Sequence, residues 1–208
     1  MHAPGGQVSA RARSELRRRI ALEAARLISE SGIRDFAMAK RKAAERLGAF
    51  DEGSLPKNIE IEEALREHQR LFQADEHPQL VRALREAARE AMHFFARFDP
   101  RLVGAVLEGT ADRYSAVCLH LFADTPEEVL LALDEQGIDY TESARRLRMS
   151  RDTQVEFPVL QVARDGTAFD LTIFPRDAIR QAPLDRVDEK PMRRASLAAL
   201  DELLASES

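Results

Sequence analysis

The spacing of apolar residues changes at Pro100, and this change most limits the folds open to the chain. Before Pro100 apolar side chains recur every three or four residues, as on one face of a helix, and after it they alternate or form short runs, as in strands. The sequence therefore predicts an α+β protein in which a helical N-terminal domain precedes a β-sheet flanked by helices. We expect a mobile tail at residues 1–9, a helical domain at residues 10–99 and an α/β domain at residues 100–208.

Four helices are predicted before Pro100. Gly32 and Gly48 follow the first two helices and end them, Asn58 is suited to cap the third, and Pro78 opens the fourth. The predicted helices are 10–31, 36–47, a third that begins at residue 58 and a fourth that begins at residue 78 and ends before Asp99.

Strand and turn signals dominate after Pro100. We interpret the short apolar run at 102–107 as a buried strand, and the alternating residues 116–122 as a second strand. Residues 125–128 form a capping box that opens a helix, and Asp165-Gly166 is suited to a hairpin turn. Further strands are predicted at 138–148, 154–163 and 168–174, and a last helix at 193–205.

Basic residues are concentrated at the N-terminal end of the chain. Residues 1–50 hold eleven Lys and Arg against five Asp and Glu, although the whole chain has a net charge of −5. This asymmetry predicts a protein or nucleic-acid partner that binds through residues 11–46. The alternative is a solvated charged surface that has no partner.

The sequence also indicates a compartment. No apolar run approaches the roughly 20 residues that cross a bilayer, so we expect no membrane partner. The first ten residues lack the apolar segment of a secretory signal, and the single cysteine, Cys118, cannot form an internal disulfide. We therefore expect a cytoplasmic protein.

The segment from Arg101 to Phe122, RLVGAVLEGTADRYSAVCLHLF, resembles the core of the nucleotidyltransferase superfamily, which has the polymerase-beta-like fold. With the helix at 39–48, the chain is similar to bacterial proteins classed as nucleotidyltransferase-like. In that superfamily a strand leads into a Gly-Ser turn, and a later strand reads roughly Ser-Asp-x-Asp-Leu. The resemblance implies a mixed sheet on which two aspartates and a third carboxylate hold two Mg²⁺ ions.

The match fails at the metal-binding positions. Ser115 matches the motif serine, but the two aspartate positions fall on Ala116 and Cys118, and Asp170 matches the third carboxylate. Alanine offers no ligand, and a thiol is a soft ligand that suits metals other than magnesium. The resemblance therefore implies a nucleotidyltransferase-like protein without catalysis and without a cofactor, which acts as a nucleotide- or partner-binding module.

A nucleotide or another phosphate would need donors on the same fold. Gly104-Ala105 stands in place of the Gly-Ser turn, and arginines later in the chain could pair with phosphate oxygens. The candidate ligand-binding residues are Gly104, Gly109, Thr110, Ser115, His120, Arg176, Arg180, Arg193 and Arg194. A solvated face with salt bridges is the alternative for the arginines.

Two other functions remain open. An active nucleotidyltransferase would need a rebuilt site in which Glu108, Asp112 or Asp124 joins Asp170 to bind Mg²⁺, and the alternative is that these residues are solvated acids. A DNA-binding regulator is suggested by residues 19–48, which resemble the opening of tetracycline-repressor-type helix-turn-helix domains. The acidic stretch that follows does not supply the basic recognition helix that such a regulator needs.

Overall fold

The computed structural model describes residues 10–33, 35–49, 51–72 and 76–207, and the tail predicted at residues 1–9 lies outside them. These residues form seven α-helices and one mixed five-stranded sheet, which confirms the α+β class. The chain divides into two compact units, Met1–Ala74 and Asp75–Ser208. None of the described helices is both long and apolar enough to span a membrane.

The described residues of the first unit form three α-helices: α1 (Ala10–Ser31), α2 (Phe36–Arg46) and α3 (Asn58–Phe72). Their bounds agree closely with the prediction, because glycines and a capping side chain mark the ends. Asp35 caps α2 by accepting a hydrogen bond of 2.8 Å from the Met38 N–H. Small side chains allow the helices to pack closely, and the core contains Ala24, Ala25, Ala39, Ala43, Ala44 and Ala64 together with Ile20 and Ile61.

The second unit begins with α4 (Glu76–Phe94), whereas the sequence analysis placed this helix in the helical domain and the boundary between residues 99 and 100. Val81, Leu84, Ala88 and Met92 on one face of α4 belong to the same core as the sheet. The helix itself is confirmed. Periodicity shows that a helix has an apolar face but not which partner covers that face.

The sheet has the strand order β1-β2-β5-β4-β3. Strands β2 and β5 are parallel, and every other neighbouring pair is antiparallel. The strands are β1 (Arg101–Val103), β2 (Val117–Ala123), β3 (Tyr140–Arg148), β4 (Gln154–Arg164) and β5 (Thr167–Pro175). Asp165 and Gly166 both have positive φ, as the predicted hairpin turn between β4 and β5 requires.

Three helices of the second unit contribute to the core on one face of the sheet: α4, α6 (Pro126–Asp134) and α7 (Leu197–Ser206). The predicted capping box is present at the start of α6, between Thr125 and Glu128. Helix α7 begins at Leu197 rather than at residue 193, because Ser196 caps it. Ala195, just before this cap, pairs instead with Leu102 at the edge of the sheet.

The apolar run predicted one strand over residues 102–107, and this prediction is wrong. The strand ends at Val103, and Gly104 adopts a φ of 73°, which turns the chain into the short helix α5 (Ala105–Glu108). The last carbonyls of such a short helix lack partners within it, and buried Arg85 of α4 donates to two of them, at Val106 (3.0 Å) and Leu107 (2.9 Å). The guanidinium of Arg85 also pairs with Glu207.

Candidate functional site

The sheet face opposite α4, α6 and α7 carries three of the candidate residues, Cys118, His120 and Asp170. Strand register pairs Cys118 with Asp170 and His120 with Thr172 on the parallel strands β2 and β5. Because alternate residues of a strand point to the same side, all four share one face, which we call the polar face. Its polar residues also include Arg101, Thr141, Ser143, Arg145 and Gln161.

One of the two degenerate motif positions, Cys118, lies on this face, and the other, Ala116, comes just before β2 begins. Val103, Cys118 and Asp170 stand in one row across β1, β2 and β5. Gly104 is the next residue after Val103, and a methyl group placed on it would lie 3.9 Å from the Cys118 Cβ. Cys118 and Asp170, which are 52 positions apart in the sequence, are thus brought side by side on neighbouring strands.

The Asp170 carboxylate is paired with a cation. Arg145 of β3 donates to the Asp170 Oδ2 at 2.6 Å, and the Asp170 side chain is only 12% exposed against 36% for Arg145. Asp170 is therefore not an ordinary surface residue. Arg145 is not among the predicted site residues, because its position on the polar face depends on the register of β3 with β4.

A second pair lies two residues farther along β2. Arg194 donates from Nε to His120 Nδ1 at 3.1 Å, which leaves the proton of a neutral imidazole on Nε2. The guanidinium lies over the rings of Phe122 and Phe174, 5.1 and 5.0 Å from their centroids. Its Nη1 also donates to the carbonyls of residues 178, 179 and 181 at 3.3 Å each.

Burial and neighbouring arginines control the ionisation of this pair. Burial, with the positive charges of Arg194 and Arg145, lowers the pKa of His120 to about 3. Burial and the nearby charge of Arg101 lower the pKa of Arg194 to about 10. At neutral pH the imidazole is therefore uncharged and the guanidinium keeps its charge.

The acids proposed for a rebuilt site have other partners. Glu108 pairs with Arg193 at 3.0 Å. Asp112 accepts hydrogen bonds from the Ser115 hydroxyl at 3.0 Å and the Tyr114 N–H at 2.8 Å, so Ser115 serves a local turn.

The opposite end of β2 holds a separate charged group. Arg176 pairs with Asp124 at 3.1 Å and approaches Glu128 at 3.7 Å. Asp124 lies six residues beyond Cys118, about 20 Å at 3.3 Å per residue, so it cannot share an ion with Asp170. The candidate Arg180 is exposed at the end of the 3-10 segment that Arg176 begins.

The remaining candidates, Gly109 and Thr110, end helix α5. Gly109 has a φ of 74°, and the Thr110 N–H donates to the Ala105 carbonyl at 2.9 Å. The hydrogen bond closes the end of the helix, and the positive φ explains why a glycine occupies position 109. The structure therefore places both residues in a turn and not in the row that contains Cys118 and Asp170.

The polar face does not fit a pair of magnesium ions. Ala116 and Cys118 offer a methyl group and a thiol, and Arg145 binds the remaining carboxylate. Within the described part of the chain, no group of three or more His, Cys, Asp and Glu residues is placed to hold a metal ion. Comparisons with protein-family models, curated proteins and solved structures found no match to this chain.

Several basic residues of the 11–46 segment are held by contacts within the first unit. Arg26 pairs with Glu23 and Glu30 at 2.9 Å, and Arg46 pairs with Glu23 at 2.8 Å. Arg17 donates to the Gly53 carbonyl at 2.7 Å. These contacts account for part of the basic charge within the unit itself, so the segment supports no separate functional proposal.

Proposed function

We propose that this chain is a nucleotidyltransferase-like protein without metal-dependent transfer, and that its polar face binds the phosphate group of a nucleotide. The observation that carries the proposal is the 2.6 Å ion pair between Arg145 and Asp170. It puts a cation where the resemblance would require Mg²⁺. A guanidinium and a magnesium ion repel each other, so the pair with Arg145 weakens the affinity of Asp170 for Mg²⁺.

The charge of the polar face supports an anion as the ligand. Arg101, Arg145 and Arg194 surround His120 and Asp170, and the carboxylate neutralises only one of the three cations. Guanidinium groups pair with phosphate oxygens through two parallel hydrogen bonds. The His120 Nε2–H adds a neutral donor on the same face.

Arg145 is the arginine best placed to contact a ligand. About a third of its side chain is exposed, whereas Arg194 is held by three carbonyls and by His120. A bound phosphate and Asp170 would both accept hydrogen bonds from Arg145. Asp170 uses a single guanidinium nitrogen, which donates to its Oδ2. Arg145 can therefore keep its ion pair while its other N–H groups turn toward the ligand.

Thermal unfolding with nucleoside triphosphates, in EDTA and in Mg²⁺, tests the proposal. We expect nucleotide to stabilise the protein in EDTA, and we expect Arg145→Gln to weaken nucleotide binding about tenfold through loss of a charge-assisted hydrogen bond. Arg146→Gln is the matched control, because Arg146 is the next residue of β3 and lies on the opposite face. It should leave the affinity unchanged.

Two results would contradict this function. Stabilisation that requires Mg²⁺ would indicate an active transferase with a rebuilt site. No stabilisation by any nucleotide in either buffer would indicate a module that binds a macromolecular partner instead.

A further inference from the structure

Strand β3 forms one edge of the sheet, and within the described residues its outer side is open along most of its length. It pairs with β4 on one side only, over nine residues from Tyr140 to Arg148. Glu142, Ala144 and Arg146 are all exposed. The strand contains neither proline nor glycine, so nothing in its backbone interrupts further pairing.

The hydrogen-bond pattern shows which residues face outward. The Arg148 carbonyl accepts from the Leu184 N–H at 2.7 Å, outside the ladder with β4. In an antiparallel ladder every second residue directs its N–H and C=O away from the partner strand. Glu142, Ala144 and Arg146 therefore direct theirs to the open edge, and the contact at Leu184 limits pairing beyond Arg146.

The side chains along this edge are self-complementary. When two copies of β3 meet antiparallel about Ala144, Glu142 of each copy stands opposite Arg146 of the other. Alanine faces alanine at the centre, where small side chains allow close approach. This register makes two opposite-charge pairs, and it forms roughly six backbone hydrogen bonds between the copies.

The other charges of β3 do not oppose this pairing. Arg145 is paired with Asp170, and Arg148 is paired with Glu189 at 2.9 Å. Arg146 makes only a loose contact with Glu156, at 3.7 Å between two exposed side chains. The charges that a second copy would meet at the centre of the edge are therefore those of Glu142 and Arg146.

We propose that β3 is a self-association edge, through which two copies of this chain join their sheets by antiparallel pairing about Ala144. The partner is a second copy because the residues two positions before and after Ala144 carry opposite charges, so the edge is complementary to its own antiparallel copy. A two-fold axis requires this of an interface between identical chains. The proposal does not depend on the ligand of the polar face.

Sedimentation velocity of the full chain over a range of concentrations tests the proposal. We expect concentration-dependent dimers of the wild type, and we expect Glu142→Arg or Arg146→Glu to raise the dissociation constant about tenfold or more, since each creates two like-charge contacts per dimer. Arg164→Glu is the matched control, because this exposed residue lies on β4, away from the open edge. It should dimerise like the wild type.

A mixture of the Glu142→Arg and Arg146→Glu variants gives the decisive result. In the mixed dimer the two substituted side chains face each other with opposite charges, and the unchanged Arg146 of the first variant faces the unchanged Glu142 of the second. Both pairs are then attractive, so the heterodimer should form with wild-type affinity. This recovery also shows that both variants are folded. A wild type that is monomeric up to millimolar concentration, or a mixture that associates no better than its components, would overturn the proposal.

Discussion

Replacing Arg194 with methionine is expected to lower the free energy of unfolding by about 3 kcal/mol. The guanidinium crosses two buried rings and donates to the carbonyls of residues 178, 179 and 181. Methionine fills similar apolar space but donates nothing, so several polar groups would lose their partners, including His120 Nδ1. Urea unfolding of both proteins measures the difference, provided that the free energy of unfolding falls with urea concentration at the same slope in both.

Arg193 provides the matched control for this substitution. It is the preceding residue, its side chain is 69% exposed, and its contact is the ion pair with Glu108. Exposed pairs of this kind contribute about 1 kcal/mol or less, so Arg193→Met should have a small effect. A loss in Arg194→Met no larger than in Arg193→Met would contradict the structural role of Arg194.

These two neighbours show where sequence reasoning stops. Both were candidates for phosphate binding, because both are arginines in the same basic stretch. The bridge between Ala195 and Leu102 fixes this extended segment against β1, so that one arginine faces the buried rings and the other faces solvent. A contact with a strand 93 residues earlier decides their roles, and no local pattern reveals it.

The same limit applies to Arg145. Alternation indicated which residues of 116–122 share a face of their strand, and the register pairs Cys118 with Asp170. Arg145 comes from β3, which is two strands away from β5 in the sheet. Its long side chain reaches across β4 to the carboxylate, and this contact depends on a strand order that the sequence does not show.

The error at residues 102–107 has a different cause. Val106 and Leu107 are buried, as predicted, but they belong to helix α5. A short apolar run fits a buried strand and a buried helical turn equally well. Gly104 was the available signal, since a glycine within an apolar run can mark a change of direction. The longer elements were predicted well because their periodic patterns extend over several turns or strand repeats.

The pH dependence of stability should identify His120 as a buried neutral imidazole. Its pKa is lowered from 6.5 to about 3 in the folded protein by burial and by the charges of Arg194 and Arg145. The unfolded chain therefore binds a proton at this residue over a pH range in which the folded protein does not. The stability associated with neutral His120 is present above pH 6.5 and is lost as the pH falls toward 3.

When the pH falls from about 7 to about 5, His120 alone should lower the free energy of unfolding of the wild type by about 2 kcal/mol. His120→Asn should remove that part of the pH dependence, since an amide oxygen can still accept from Arg194 but does not titrate. The pKa of His77 is also lowered by burial, but His77 is present in both proteins, so the difference between them reports on His120. Urea unfolding at each pH gives the two profiles. His93→Asn, at an exposed position of α4, is the control and should follow the wild-type profile. Equal profiles for His120→Asn and the wild type would show that His120 is not buried as a neutral group.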